Sequence, residues 1–241
     1  MDEMVKLYEE FSNEISNEFR FILSSKSQDF LQKLLSQGGQ QVETLPARTV
    51  LYRAQSNSIA AGKTEAATTA LPKKRMKPIP NVVSEGRANP SKICVLYLAS
   101  QIGTALAEVR ASTQHPVTVG TFRTKSKLKI VDLTRQMSFH VWLNAEDLIW
   151  HRLSDDFSKP LTEFNQSVHY AKTQIIAETF KRNGYDGIRY RSQFRARESE
   201  AGLPESDGIN YALFDINSAS CVSRKVYKIV QQEVVYSECT S

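Results

Sequence analysis

The sequence predicts an α+β fold in which helices come first and a mixed group of strands and helices follows. Three observations support it. Apolar residues through the first 36 positions recur every three or four residues, the period of a helix. From Arg48 the texture changes to short strand-like runs such as "VTVGTFRT" and "KLKIVDLT". These runs do not alternate regularly with helices, so a doubly wound parallel sheet is not expected. With 241 residues the chain is one large domain, or one domain with an appendage, and is long enough to bury a full core.

Taken in order, Met4, Leu7, Phe11, Ile15, Phe19 and Ile22 define one apolar helical stripe. Ser27 is a candidate cap for a second helix carrying Phe30, Leu31, Leu34 and Leu35, which Gly38 and Gly39 would stop. The two read as a helical hairpin packed against the main body. "RTVLYRA" reads as a strand, followed by a long irregular stretch to Ser91 rich in Ala, Thr, Pro and Lys. Its 55–80 portion is too long for an ordinary connection, and such loops are usually functional or mobile. A strand over 93–99 and a helix over 102–110 follow. "VTVGTFRT" and "KLKIVDLT" flank Lys125-Ser126 as an expected β-hairpin. Residues 144–153 and 168–183 read as helices, the second ending at Asn183-Gly184. "GIRYRS", "YALFDI" and "SRKVYKIVQQEVVY" read as the closing strands.

The balance of 31 basic and 26 acidic residues gives a net charge of +5, which suits an anionic ligand as well as nucleic acid. Cys94, Cys221 and Cys239 have no metal-like spacing, and their odd number argues against a disulfide framework. The acidic, amphipathic start "MDEMVKLYEE" is unlike a secretory signal, and no apolar run nears the roughly 20 residues of a membrane span. A cytoplasmic setting is expected. "NSIAAGKT" ends like a phosphate-binding loop, but Asn57 stands where that motif needs Gly. His115, His140, His151 and His169 lack zinc spacing, so no metal is expected. The basic run in "LPKKRMKP" reads as a solvated loop.

The stretch from Gly86 to Arg110 raises a sharper question. On a helix over 102–110, Ile102, Ala105, Leu106 and Val109 make the buried face. Glu108 falls at the edge of that face, and Arg110 projects from the other flank. Residues two apart do not face one another, so these charges do not pair, and Glu108 needs partners from elsewhere. Arg53 sits in the apolar context "VLYRA", where an unpaired guanidinium is costly. Ser192 ends "YDGIRYRS", and Gly187 before that strand allows close backbone approach. Together the three supply an anion clamp, an acceptor for positive charge or sugar hydroxyls, and a small donor.

The segments "LYRA", "GRANP", "LYLAS", "TALAEVR", "YAKTQIIAETFKRNGYDGIRYRS" and "GINYALFD", in that order between Leu51 and Asp215, resemble the RES-domain family. That family is named for its Arg, Glu and Ser, and its members are bacterial toxins that consume NAD⁺. The resemblance carries those residues onto Arg53, Glu108 and Ser192. It adds Arg87 and Asn89 of "GRANP", Tyr97 of "LYLA" and Asn210, with Tyr52 beside Arg53 as a ring-stacking candidate. It implies an ADP-ribosyltransferase-like core of split mixed or antiparallel sheets with flanking helices and NAD⁺ in the cleft. Residues 1–40 are then a helical extension and 41–241 the catalytic domain.

The implied activity is cleavage of the nicotinamide–ribose bond by a toxin of a toxin–antitoxin system. NAD⁺ is substrate rather than cofactor, and water or inorganic phosphate is the acceptor. A carboxylate suits the oxocarbenium charge that forms on the ribose, as in glycoside cleavage. Arg53 would clamp phosphate, and Ser192 would position the nicotinamide ribose or its amide. A cognate antitoxin is the candidate protein partner, and the N-terminal helices offer a candidate homo-oligomer surface. Transfer of ADP-ribose to a protein or nucleic acid is the alternative within the same fold. A non-enzymatic nucleic-acid-binding module ranks lower, because the aromatics lie in apolar patterns rather than among basic residues on an exposed strand face.

Overall fold

The structure, a computed structural model, describes residues 3–57, 68–113, 115–134, 145–159, 166–194 and 208–230. Helices α1 (Glu3–Asn17) and α2 (Ser25–Gly38) form the N-terminal hairpin, and a 3-10 turn over Gly39–Gln41 leads to strand β1 (Val42–Leu45). The first helix stops earlier than the apolar spacing suggests. Phe11 and Ile15 are fully buried, whereas Phe19 and Ile22 lie beyond Asn17 and are 61% and 82% exposed. The reason is Glu14. It accepts from Ser24 N at 2.7 Å, Ser24 Oγ at 2.6 Å and Ser27 Oγ at 2.5 Å, which turns the chain after α1. The cap of α2 is therefore Ser24, whose Oγ accepts from Ser27 N, and not Ser27 itself.

The remaining elements are β2 (Val50–Ser56), β3 (Leu96–Ala99), α3 (Ile102–Glu108), β4 (Val117–Thr124), β5 (Leu128–Asp132), α4 (Ala145–Ser158), α5 (Gln166–Arg182), β6 (Gly187–Arg191), β7 (Ile209–Leu213) and β8 (Ala219–Tyr227). The helix expected over 102–110 closes two residues early. Arg110 takes the left-handed conformation at φ 48°, and Ala111 N returns to Leu106 O at 3.1 Å. Gly184, at φ 80°, ends α5 in the same way, with Tyr185 N bonded to Phe180 O. Most of the P-loop-like segment, residues 58–67, and the chain end after 230 lie outside the described residues. The "KKRM" run forms a 3-10 turn whose Met76 is fully buried while Lys73, Lys74 and Arg75 face solvent.

Eight strands make one mixed sheet in the order β1-β5-β6-β7-β3-β2-β4-β8, antiparallel except for the β5–β6 pair. The expected hairpin between "VTVGTFRT" and "KLKIVDLT" is wrong in its pairing, although both strands exist. β4 pairs with β2 and β8, and β5 with β1 and β6. A tight connection leads from Thr124 to Leu128, yet their strands stand five places apart in the sheet. Four virtual bonds reach at most about 15 Å, while five strand spacings in a flat sheet span about 24 Å. The sheet must therefore roll up on itself. Leu45, Leu51, Leu98, Phe122, Leu128, Ile130, Leu213 and Ala219, drawn from seven of the strands, fill one apolar cluster within it.

A second cluster lies between the sheet and the helices. It joins Phe11 and Ile15 of α1, Phe30 and Leu34 of α2, Leu153 and Phe157 of α4, and Ile176 and Phe180 of α5 with Ile188 and Tyr190 of β6. The N-terminal helices thus share one core with the body. The weakest join in the sheet is β2–β3, which meet through one pair, Tyr52 with Ala99. Either side of this seam the strands are more fully paired, so the sheet falls into a β1-β5-β6-β7-β3 part and a β2-β4-β8 part.

Candidate active site

A cavity of about 270 Å³ opens at that seam. Tyr52, Arg53, Arg87, Tyr97, Glu108 and Asn210 line it, together with Tyr170 and Tyr190. Arg53, in the middle of β2, donates from Nη1 to Tyr97 O at 3.1 Å, while its Nε is buried without a partner. Among the described residues no carboxylate pairs with it. Burial pushes its pKa below the ordinary guanidinium value, although arginine remains charged. A desolvated cation with an unused donor is a ready anion site.

Glu108 closes α3 and reaches across to β7 and to the residue that follows β6 in the other half of the sheet. Its Oε1 accepts from Ser192 Oγ at 2.5 Å and from Asn210 Nδ2 at 2.6 Å. Ser192 and Asn210 are buried, whereas Glu108 itself is exposed to the cavity. Among the described residues Oε2 has no hydrogen-bond partner. Ser192 is further fixed by Phe194 N, which donates to its Oγ at 3.0 Å. The hydroxyl is thereby committed to the carboxylate and does not line the cavity, which differs from the direct sugar or amide contact expected of it. The bond fixes the orientation of the Glu108 carboxylate.

The "GRANP" turn forms the opposite wall. Gly86 and Asn89 face each other across a backbone bridge, with Gly86 N bonded to Asn89 O at 2.9 Å. A Cβ at Gly86 would fall 2.7 Å from Tyr97 Oη, so only glycine admits the tyrosine. Tyr97 Oη donates to Asn89 Oδ1 at 2.7 Å and accepts from Ala88 N at 2.9 Å. Asn89 Nδ2 donates to Ser84 O and Pro90 O. Asn89, expected as a ligand contact, is thus consumed inside the turn and does not line the cavity. Tyr97 presents its ring to the cavity, its phenol held neutral by burial. Arg87 is anchored by backbone carbonyls, Nη2 to Lys159 O at 2.5 Å and Nη1 to Asp156 O at 3.4 Å, with its guanidinium 5.9 Å from the Tyr170 ring.

Three contributors escaped the sequence reading. Gln174 of α5 donates to both Gly86 O and Asn89 O, clamping the turn. Tyr170 lies one helical turn earlier, and this i, i+4 spacing is the signal that could have marked the α5 face turned to the site. Tyr190 is buried beside Glu108, Tyr97, Arg87 and Tyr170, and burial, then the Glu108 charge, raises its pKa well above the usual phenol value. Its hydroxyl has no hydrogen-bond partner among the described residues.

A larger hollow of about 730 Å³ beside the α1–α2 connection is a weaker candidate. There Glu14 is spent on Ser24 and Ser27, and Glu10 pairs with exposed Lys26. Among the described residues no group of three or more His, Cys, Asp or Glu is placed to hold a metal ion, and no helix is long and apolar enough to cross a membrane.

Residues 50–236 match the RES domain family, and the chain belongs to that family. The match extends past the Leu51–Asp215 run of motifs and leaves α1, α2 and β1 ahead of it. Among solved structures, the chain is similar to the M. tuberculosis MbcT–MbcA toxin–antitoxin complex, at 15% identity and a TM-score of 0.43 over 82% of this chain and 91% of that one. No curated protein matches the chain.

Proposed function

We propose that the protein is an NAD⁺-consuming enzyme that cleaves the nicotinamide–ribose bond, with water or inorganic phosphate as acceptor, and that it acts as the toxin of a toxin–antitoxin pair. One observation carries the reading. A cavity-lining carboxylate with one oxygen held by two donors stands across a seam from an arginine that has no acidic partner among the described residues. Membership of the RES family supports it.

On this reading, the bond between C1′ and the pyridinium nitrogen breaks and its electron pair returns to the ring. Nicotinamide leaves neutral, so no strong general acid is needed. Positive charge appears on the ribose, and Glu108 Oε2 accepts from a ribose hydroxyl while its negative charge meets that cation. Such preorganised electrostatics is worth about 3–4 kcal/mol per group in comparable sites. Arg53 binds a phosphate group through its guanidinium, Arg87 extends the basic wall, and Tyr52 or Tyr97 stacks on a ring. The cavity suits the nicotinamide–ribose half of the dinucleotide, with the phosphates toward the arginines. An antitoxin would silence the enzyme by filling this seam.

The test is nicotinamide release from NAD⁺ by the purified chain, with and without phosphate, alongside Glu108→Gln. Loss of release in the variant is expected, and a phosphorylated ribosyl product would identify phosphate as acceptor. A variant as active as the wild type would remove Glu108 from the chemistry. Label passing from NAD⁺ to a macromolecule would instead favour ADP-ribose transfer.

A further inference from the structure

The two N-terminal helices precede the RES match, yet α1 is bonded to the end of α4 that holds Arg87 of the cavity wall. Tyr8 is buried midway along α1, and its hydroxyl donates to Asp156 Oδ2 in the last turn of α4. Lys172 of α5 donates to the same oxygen at 3.0 Å, and its ammonium lies 5.7 Å from the Tyr8 ring centroid. The Asp156 and Lys172 side chains are each only 13% exposed. One carboxylate therefore ties three helices together in a largely dry setting, where a lost partner is costly. Burial first, then the Asp156 charge, pushes the Tyr8 phenol above its usual value, so it stays a donor through neutral pH.

The last turn of α4 and the residue after it supply the carbonyls that hold Arg87. Asp156 O and Lys159 O accept from Nη1 and Nη2, so the guanidinium goes where this turn goes. Tyr8 is 79 residues away from Arg87 in the chain, and among the described residues the hydrogen-bonded link between them runs through Asp156. We infer that Tyr8 and Lys172 are positioning residues for Arg87, acting through Asp156, so that the N-terminal extension completes the basic wall of the cavity. The inference rests on reading Arg87 as a contact to the phosphates of NAD⁺. It gives the extension a task that neither packing nor partner binding requires.

The test uses the full chain as Tyr8→Phe and Lys172→Met. The phenylalanine keeps the ring packed at 5.6 Å from Phe30, so only the hydroxyl is lost. Two readouts are taken: steady-state kinetics with NAD⁺, and the rate at which phenylglyoxal modifies Arg87 and Arg53, followed by peptide mass mapping. Expected is a rise in KM of roughly three- to tenfold, the worth of about one hydrogen bond, with kcat within about twofold of wild type. Arg87 modification should accelerate while that of Arg53 does not change, and Lys172→Arg should restore both readouts. A lowered melting temperature with KM and Arg87 reactivity unchanged would reduce the triad to helix glue and overturn the inference. If the wild type does not turn over NAD⁺, the functional reading fails, and the modification rates still decide whether Tyr8 sets Arg87.

Discussion

At the scale of single residues, the site is defined by which lone pairs and protons are already spent. Glu108 Oε1 takes two hydrogen bonds, from Ser192 and Asn210, and Oε2 takes none among the described residues. Glu108→Gln keeps the shape and loses the charge, and should lower kcat for nicotinamide release by about 10²–10³-fold. Ser192→Ala leaves Asn210 to aim the carboxylate alone; kcat should fall roughly tenfold with a smaller change in KM, since one charge-assisted hydrogen bond is lost. A KM effect without a kcat effect would place Ser192 on the substrate instead. Tyr190 is the converse case, a buried ring on the cavity wall whose hydroxyl has no partner among the described residues. Tyr190→Phe should leave the melting temperature nearly unchanged, because no hydrogen bond to another described residue is lost. It should weaken NAD⁺ binding severalfold if the substrate is the missing partner, which calorimetric titration would show.

At the scale of elements, the corner between α1 and α2 depends on one carboxylate. Burial raises the Glu14 pKa, but the hydrogen bonds from Ser24 and Ser27 outweigh it and hold the group below its usual value. Glu14→Gln should destabilise the chain by about 1–3 kcal/mol, measured by urea unfolding at neutral pH. A null effect would mean that α2 is capped adequately by Ser24 alone. The elements were legible in the sequence where a single period ran long enough, as in α1, α2 and α5. Their ends and pairings were not. Phe19 and Ile22 continue the helical spacing perfectly well, and only the pull of Ser24 and Ser27 on Glu14 stops the helix before them. "VTVGTFRT" and "KLKIVDLT" carry hairpin chemistry around Lys125-Ser126, but each strand has two better partners brought from elsewhere in the chain. Local turn signals cannot weigh contacts made by residues more than 50 positions away.

At the scale of the whole molecule, three tyrosines tie helices, turn and sheet together, and burial raises the pKa of each: Tyr8, Tyr97 and Tyr190. Unfolded, they ionise near pH 10; folded, they resist ionisation. Their contribution is therefore complete below about pH 10 and is lost as pH rises beyond it, at about 1.4 kcal/mol per group per pH unit. The melting temperature should be level from pH 7 to 9 and fall steeply above 10, and Tyr8→Phe should soften the fall. A level profile to pH 11 would contradict the burial of these phenols. The candidate site was legible as residues and not as a geometry. Arg53, Glu108 and Ser192 could be chosen from the sequence, but that Ser192 serves Glu108 and Asn89 serves its own turn depends on side-chain directions that only the folded sheet fixes. The rolled sheet also has a consequence in time. β7 lies between β6 and β3, and β8 lies outside β4, so both are inserted after every other strand has been synthesised. A ribosome-bound chain that has not reached Ile209 already carries Arg53, Glu108 and Ser192 but has nothing to weld β6 to β3, and Asn210 is absent. On the proposed chemistry such fragments are harmless to the cell that makes them, and NAD⁺ comes under attack only once translation has passed the final strands.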